Sequence, residues 1–369
     1  MRGEERENSK RSSQFFSPRS PFLSSWVFSL SSTAKRTAMQ QFIVRRLLNM
    51  LLVLLLSSII SFVVVELPPG DYSTVLRGQL EAERLAPEQI EAQVKPVIER
   101  FALDKPLPVR FWRWFSSIIT FDFGYSMVMK QPIGDLLNER LALTMAVSFV
   151  TLVFIMVVGI AIGMFSAVKQ YSGWDYLFTA IGFIGMATPN FLLALIILFV
   201  SVMVFGSTSV GGLFSAEYLF APWSWAKVVD FLKHIWVVVV IIGTAGTAGT
   251  IRVMRAQMLD VLSEPYMDTA RMKGLSSAKV YFKHGLRVAI NPIVSSIGLS
   301  FPGIISGATI VSLVLLLPLV GPLLLDALMS EDMYLASTII VLLTFALVIG
   351  NFLADLTLAW LDPRIRLEN

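Results

Sequence analysis

Past residue 41 the chain alternates between long apolar runs and short polar joints, and the length of the runs identifies their solvent. A bilayer core takes about 20 consecutive apolar residues in helical form. Read from charge to charge, six stretches qualify. The first, Leu47 to Val65, is uncharged and follows directly on Arg45 and Arg46. The second falls within Leu141 to Val168, the third within Leu177 to Phe205, and the fourth runs from His234 to Ile251. Val288 to Leu325 is too long for one crossing and carries Pro302, Pro318 and Pro322, so the fifth span is expected to end near Leu317, followed by an outer or re-entrant segment. The sixth runs from Met333 to Ala354.

The joints set the orientation. Lys and Arg accumulate beside the cytoplasmic ends of membrane helices, which places Arg45 and Arg46 inside. Arg252 to Arg287 holds Arg252, Arg255, Arg271, Lys273, Lys279, Lys283 and Arg287 against Asp260, Glu264 and Asp268, so it falls on the same side. Both termini are then inside. Leu67, Pro68, Pro69, Gly70 and Asp71 stop the first helix in an outer turn. Residues 71–140 predict a small helical extracytoplasmic subdomain, with Phe111, Trp112, Trp114 and Phe115 at the membrane interface. Trp223 and Trp225 are expected as further interface anchors, in the outer loop Gly206 to Lys233. Pro189, followed by Asn190, predicts a bend in the third span and a freed backbone carbonyl. That bend either lines a pathway or is a packing kink. The repeated small residues from Gly243 to Thr250 predict close helix packing.

Composition agrees with the pattern. Of 369 residues, 55% are hydrophobic and 15% charged, against about 25% charged in soluble domains; the mean hydropathy is +0.70. The net charge of +4 lies beside the spans and is not interleaved with aromatics, which argues for membrane orientation and against nucleic acid. There is no cysteine, which removes disulfides, thiolate metal sites and cysteine nucleophiles, and His234 and His284 are the only imidazoles. Met1 to Ala38, rich in serine and arginine, is expected to be a disordered extension, with Met39 the functional start.

The spans carry no charge near their middles, so ion coupling has few candidates. No phosphate-cradling Gly-x-x-x-x-Gly-Lys-Ser/Thr loop, Gly-x-Ser-x-Gly elbow or His-Glu-x-x-His pair occurs, so this chain is expected to be no enzyme and to bind no cofactor. Work must then come from another subunit, pressing on a cytoplasmic surface. Ser263 to Pro292 has the features of such a surface: two short helices joined at a glycine. Pro265 suits a first helical position, Gly274 the left-handed stop, Ser276 or Ser277 the next cap, and Pro292 the boundary with the following span.

Within that stretch Asp268, Thr269, Ala270, Arg271, Met272, Lys273, Gly274, Leu275 and Ser276 resemble the Glu-Ala-Ala-x-x-x-Gly loop of ABC importer permeases, in the form used by dipeptide and oligopeptide permeases. Val280, His284, Leu286, Arg287, Ala289, Pro292 and Val294 continue at that branch's spacing. The resemblance extends from Met39 to Arg366 and includes Leu67 to Asp71, Asp122 to Ser126 (the family's Asp-Leu-Gly-x-Ser), Arg140 to Thr144, Pro189 to Leu195 and Leu361 to Arg364. Asp268 and Thr269 replace the family's Glu and first Ala, and Val311 to Leu317 is aliphatic where the family often has Glu, an aromatic and Pro-Gly.

The resemblance implies an all-α, six-span permease of a bacterial-type inner membrane, the first of a pair, with residues 257–290 as the loop coupled to an ATPase. Asp268, Thr269, Ala270, Arg271, Lys273, Gly274, Leu275 and Ser276 would form that coupling surface, with Ala270 in tight contact with the ATPase, and Pro189 and Asn190 would line the pathway. The implied partners are a second homologous permease, two ATP-binding cassette subunits that use ATP and Mg, and an extracytoplasmic solute-binding protein. The family's cargoes include peptides, nickel and some oligosaccharides, and the branch favours peptides.

Overall fold

The apolar runs form helices in the computed structural model, which describes residues 21–67, 70–206, 212–219 and 221–361. Helix α1 spans Pro21–Glu66, and its part Ile43–Glu66 is long and apolar enough to cross a membrane. Of the stretch Met1 to Ala38, expected to be a disordered extension, residues 21–38 fall within this helix. Pro21 suits a first helical position, and no glycine or further proline interrupts the chain before Pro68, so a helix nucleated in the span propagates back toward the N-terminus. Residues 1–20, and with them most of that expectation, lie outside the described residues.

The outer subdomain is built from α2 (Tyr72–Ala82), α3 (Pro87–Phe101) and α4 (Leu107–Ile119). Asp71 caps α2 by accepting the N–H of Thr74 at 3.2 Å. Helices α2 and α3 close on Leu80, Ile90 and Val94. The subdomain ends sooner than residue 140, because α5 (Ile133–Val168) has already begun.

Helix α5 and α8 (Trp225–Leu262) form the central pair, packed along much of their length. The fourth span therefore continues well past Ile251, and the expected loop 257–290 begins only after Leu262. Between these helices lie α6 (Gly173–Ala187) and α7 (Asn190–Phe205). The cytoplasmic helices α9 and α10, described below, lead to α11 (Asn291–Val314), the short outer α12 (Val320–Met329) and α13 (Met333–Leu361). Among the described residues 4 helices are long and apolar enough to cross a membrane, and α6 with α7 and the two halves of α11 are bent pairs, giving up to 6 crossings if each pair is one span. The expected segment after Leu317 is α12.

Small residues bring the central helices together. A Cβ at Gly163 would lie 2.7 Å from the Ile251 carbonyl oxygen and 2.7 Å from the Met254 Cβ. At mid-depth the contact between α5 and α8 is filled by Val147, Ile155, Val238, Ile241 and Ile242, joined by Ala308 and Val311 of α11.

The subdomain is clamped to the head of α13. The Asp332 carboxylate, fully buried, accepts from Ser126 Oγ at 2.5 Å, from the Val128 N–H at 3.2 Å and from the Leu335 N–H at 3.1 Å. Burial pushes its pKa above the usual carboxylate range, against the pull of these donors. Arg110 of α4 pairs with Glu66 at 2.6 Å and donates to Met333 Sδ at 3.3 Å. Trp114, expected at the membrane interface, is instead 0% exposed and donates its indole N–H to Thr338 Oγ1 at 3.2 Å; a buried indole needs such an acceptor. Trp112 of the same helix stays exposed. Trp223, expected as a lipid anchor, has its ring 5.0 Å from the Lys227 ammonium, which Glu139 holds at 3.1 Å.

Two glycine substitutions should move stability in opposite directions. Gly163→Ala should destabilise the purified protein by about 1–3 kcal/mol, because backbone lies where the new methyl must go. Gly249→Ala, with nothing within 4 Å of the added Cβ, should be neutral or stabilise by up to about 1 kcal/mol. Thermal unfolding in detergent measures both, and equal effects would contradict the packing described.

Candidate functional site

The cytoplasmic knuckle starts where α8 ends. Ser263 closes α8 and Pro265 opens α9 (Pro265–Met272) at its first turn. Gly274 has φ +72° with nothing near its Cβ position, so backbone conformation alone selects glycine there. The second arm, α10, begins as an α-turn at Ser277–Lys279, widens to a π-helix at Val280–Gly285 and closes as α-helix at Leu286–Ala289. Ser276 takes the N-cap position without a side-chain capping bond. Pro292 then sits in the first turn of α11.

One face of the knuckle is keyed into the protein. Met254, Met258 and Val261 of α8 meet Met267 and Ala270 of α9, Val280 and Ala289 of α10, and Ile293 of α11. Ala270, expected to contact an ATPase, is turned into this cluster, and Leu275 packs at its edge. Helical period explains its place: Met267 and Ala270, three positions apart, share the buried face of α9. The outward face carries Asp268, Thr269, Arg271, Lys273, Gly274 and Ser276. Asp268 and Arg271 pair at 2.7 Å one helical turn apart. Met272 is 80% exposed, and Tyr266 of the same helix is exposed as well. Sequence reading missed both as surface groups; their signal was an apolar residue on the polar face of an amphipathic turn.

A half-buried ion pair braces the spans above the knuckle. Arg255 of α8 donates from Nε and Nη2 to the two carboxylate oxygens of Asp175, each at 2.8 Å. Asp175 also accepts the Tyr171 N–H at 3.0 Å, and its own N–H is capped by Ser172. The bidentate fork fixes the start of α6 on α8.

The second expected feature lies at Pro189. A kinked helix was expected, but α6 ends at Ala187 and α7 restarts at Asn190, bent by 105°. The residue before proline is driven out of the helical region, and Thr188 is extended at φ −89°, ψ 118°. Pro189 is exposed at the break, and Asn190 is half-buried, with Nδ2 3.0 Å from where a Cβ on Gly307 of α11 would lie. The chain thus brings Asn190 against α11, well removed in sequence from the knuckle.

The arrangement is that of a multi-pass transport subunit with a helical docking element between two spans. Residues 159–367 match the family described as binding-protein-dependent transport system inner membrane component, and residues 39–148 match its N-terminal membrane component. The chain belongs to this family of ABC importer permeases. It is 33% identical over 328 residues to the oligopeptide transport system permease protein AppB of Bacillus subtilis (strain 168), covering 89% of this chain and 99% of that one. It is 32% identical over 325 residues to the probable peptide ABC transporter permease protein y4tP of Sinorhizobium fredii, covering 88% and 99%. To the glutathione transport system permease protein GsiC of Escherichia coli (strain K12) it is 31% identical over 328 residues, covering 89% and 99%.

The two sides of the brace should be energetically coupled. Arg255→Ala should lower stability by about 1–3 kcal/mol by leaving the Asp175 carboxylate without its charged donor, whereas Asp175→Ala combined with Arg255→Ala should lose less than the two single changes added together. Denaturant unfolding of the four proteins forms the cycle. Simple additivity would mean that the pair is not coupled.

Proposed function

We propose that this chain is the membrane-spanning half of an ATP-driven importer for short peptides, working beside a second homologous permease in a bacterial-type inner membrane. Two ATP-binding cassette subunits bind ATP and Mg and supply the work, an extracytoplasmic solute-binding protein delivers cargo, and this chain itself holds no cofactor. The observation that carries the reading is the two-faced knuckle: one side locked into α8 and α11 by a methionine cluster, the other exposed with Asp268, Thr269, Arg271, Met272 and Lys273 outward. A surface built in this way can take a push from outside and pass it to the spans. Relatives named for oligopeptide, peptide and glutathione transport support peptides as cargo.

In the mechanism, closure of the ATPase dimer moves α9 and α10 together with the spans keyed to them. The break at Thr188 and Pro189 lines the path, since the backbone groups freed there are tolerated beside a water-filled route. Small residues along α5 and α8 allow close sliding contact as the spans rock.

The test separates docking from folding. In proteoliposomes holding the whole transporter and its binding protein, wild type should show ATP-dependent uptake of labelled tripeptide. Met272→Asp alters only an exposed group, so it should leave thermal stability unchanged while reducing uptake at least tenfold. Gly274→Val, strained at positive φ, should reduce uptake similarly and lower stability by about 1–3 kcal/mol. Wild-type uptake in both variants would remove the docking role; transport of a labelled oligosaccharide and not of peptide would replace the cargo.

A further inference from the structure

The outer subdomain contains a cavity of about 310 Å³, set between α2, α3 and the turn from Tyr125 to Lys130, with a largely apolar lining that carries two cations. Arg100, Lys130, Gln93, Tyr125 and Ser126 are among the residues that line it. All of its lining residues lie between Tyr72 and Lys130, outside every membrane span, so the cavity is off any route among the spans.

Its charge is one-sided. Arg100 is exposed and is held by aromatic rings, with its guanidinium 4.4 Å from the centre of the Tyr125 ring and 5.7 Å from that of Phe101. Lys130 is exposed on a residue of positive φ, +52°. Among the described residues neither cation makes an ion pair, a state they share with Arg84, Lys95 and Arg113, whereas Arg77, Lys105 and Arg110 pair with carboxylates. The acidic group behind Ser126, Asp332, is already committed to that residue and two backbone N–H groups. An arginine laid over a ring keeps its outer N–H donors free for a planar acceptor, and a carboxylate is the common one.

The lining of the cavity is also mechanically connected. Gly124 has φ +76° and donates its N–H to Asp122, and Ser126 Oγ accepts the Met129 N–H while donating to Asp332 at the head of α13. A load on this turn therefore reaches the last span through a fully buried hydrogen bond.

We propose that the cavity is a socket for an acidic side chain of the soluble extracytoplasmic partner, with Arg100 and Lys130 as the cationic contacts and Ser126 to Asp332 as the link from the socket to α13. The partner is identified through the importer reading above, on which this inference rests. A protein side chain fits better than cargo, because the cavity opens on the subdomain surface and no spanning helix contributes to it.

Zero-length carbodiimide coupling tests it, since that reagent joins a carboxylate to a lysine amine only when the two touch. Membranes containing the whole transporter are treated with binding protein and labelled tripeptide, and the adducts are mapped by mass spectrometry. Lys130 should be joined to an Asp or Glu of the binding protein, and Arg100→Gln should cut the yield at least fivefold with exposed Lys95 unaffected. A Lys130 adduct with the tripeptide carboxylate, or no more coupling at Lys130 than at Lys95, would overturn the socket. ATP-driven uptake by the same membranes reads the importer separately: uptake without the Lys130 adduct sinks the socket alone, and the adduct without uptake supports the socket and sinks the importer.

Discussion

The packing of Met254, Met258 and Met267 around Ala270 and Val280 ties the cytoplasmic helices to the membrane helices, and the remaining architecture depends on that tie. Methionine is unbranched and adaptable, so it fills the irregular space where α8, α9, α10 and α11 converge at different angles. Without the cluster, α9 and α10 would form an exposed polar loop with no means of transmitting displacement. With it, the outward groups are fixed relative to α8, which continues unbroken from Trp225 to Leu262, through the membrane to its outer side.

The same division recurs at the outer pole. Buried charge is costly unless paired and hydrogen-bonded, and the buried charged groups here stand at helix ends: Glu66 with Arg110 and Asp332 with Ser126 outside, Asp175 with Arg255 inside. Arg46 and Asp355 pair at 3.2 Å where α1 meets α13 on the inner side. Mid-depth contacts are apolar or small. Each pole is therefore fixed by directional bonds, while the middle is held by packing that can slide.

Much of this was legible in the sequence because lipid leaves few options: backbone groups must be satisfied internally, so apolar runs of sufficient length become helices. The positions of Pro265 and Gly274 predicted the knuckle's start and turn, since each residue type suits few conformations. Depth of burial was less legible. Ala270 lies in a polar stretch and gave no sign of facing inward until α9 acquired its partners. Trp114 reads as an interface anchor by composition and becomes a core residue only because Thr338, far along the chain, supplies its acceptor. The 105° break at Pro189 reads as a kink from one proline and as two helices only once α11 has packed against Asn190.

The central claim is that the knuckle and the spans beside it move as one body. The chain has no cysteine, so spin labels can be placed at Ala278→Cys, exposed on α10 and outside the docking residues, and at Val253→Cys on the exposed side of α8, without background from this chain. Their separation is then measured by pulsed electron paramagnetic resonance in the whole transporter, with and without ATP. The account predicts distance distributions that coincide to within about 2 Å, less than half a helical turn. A shift of roughly 5 Å or more, the rise of a full turn, would show that the knuckle hinges independently of α8 and would contradict it.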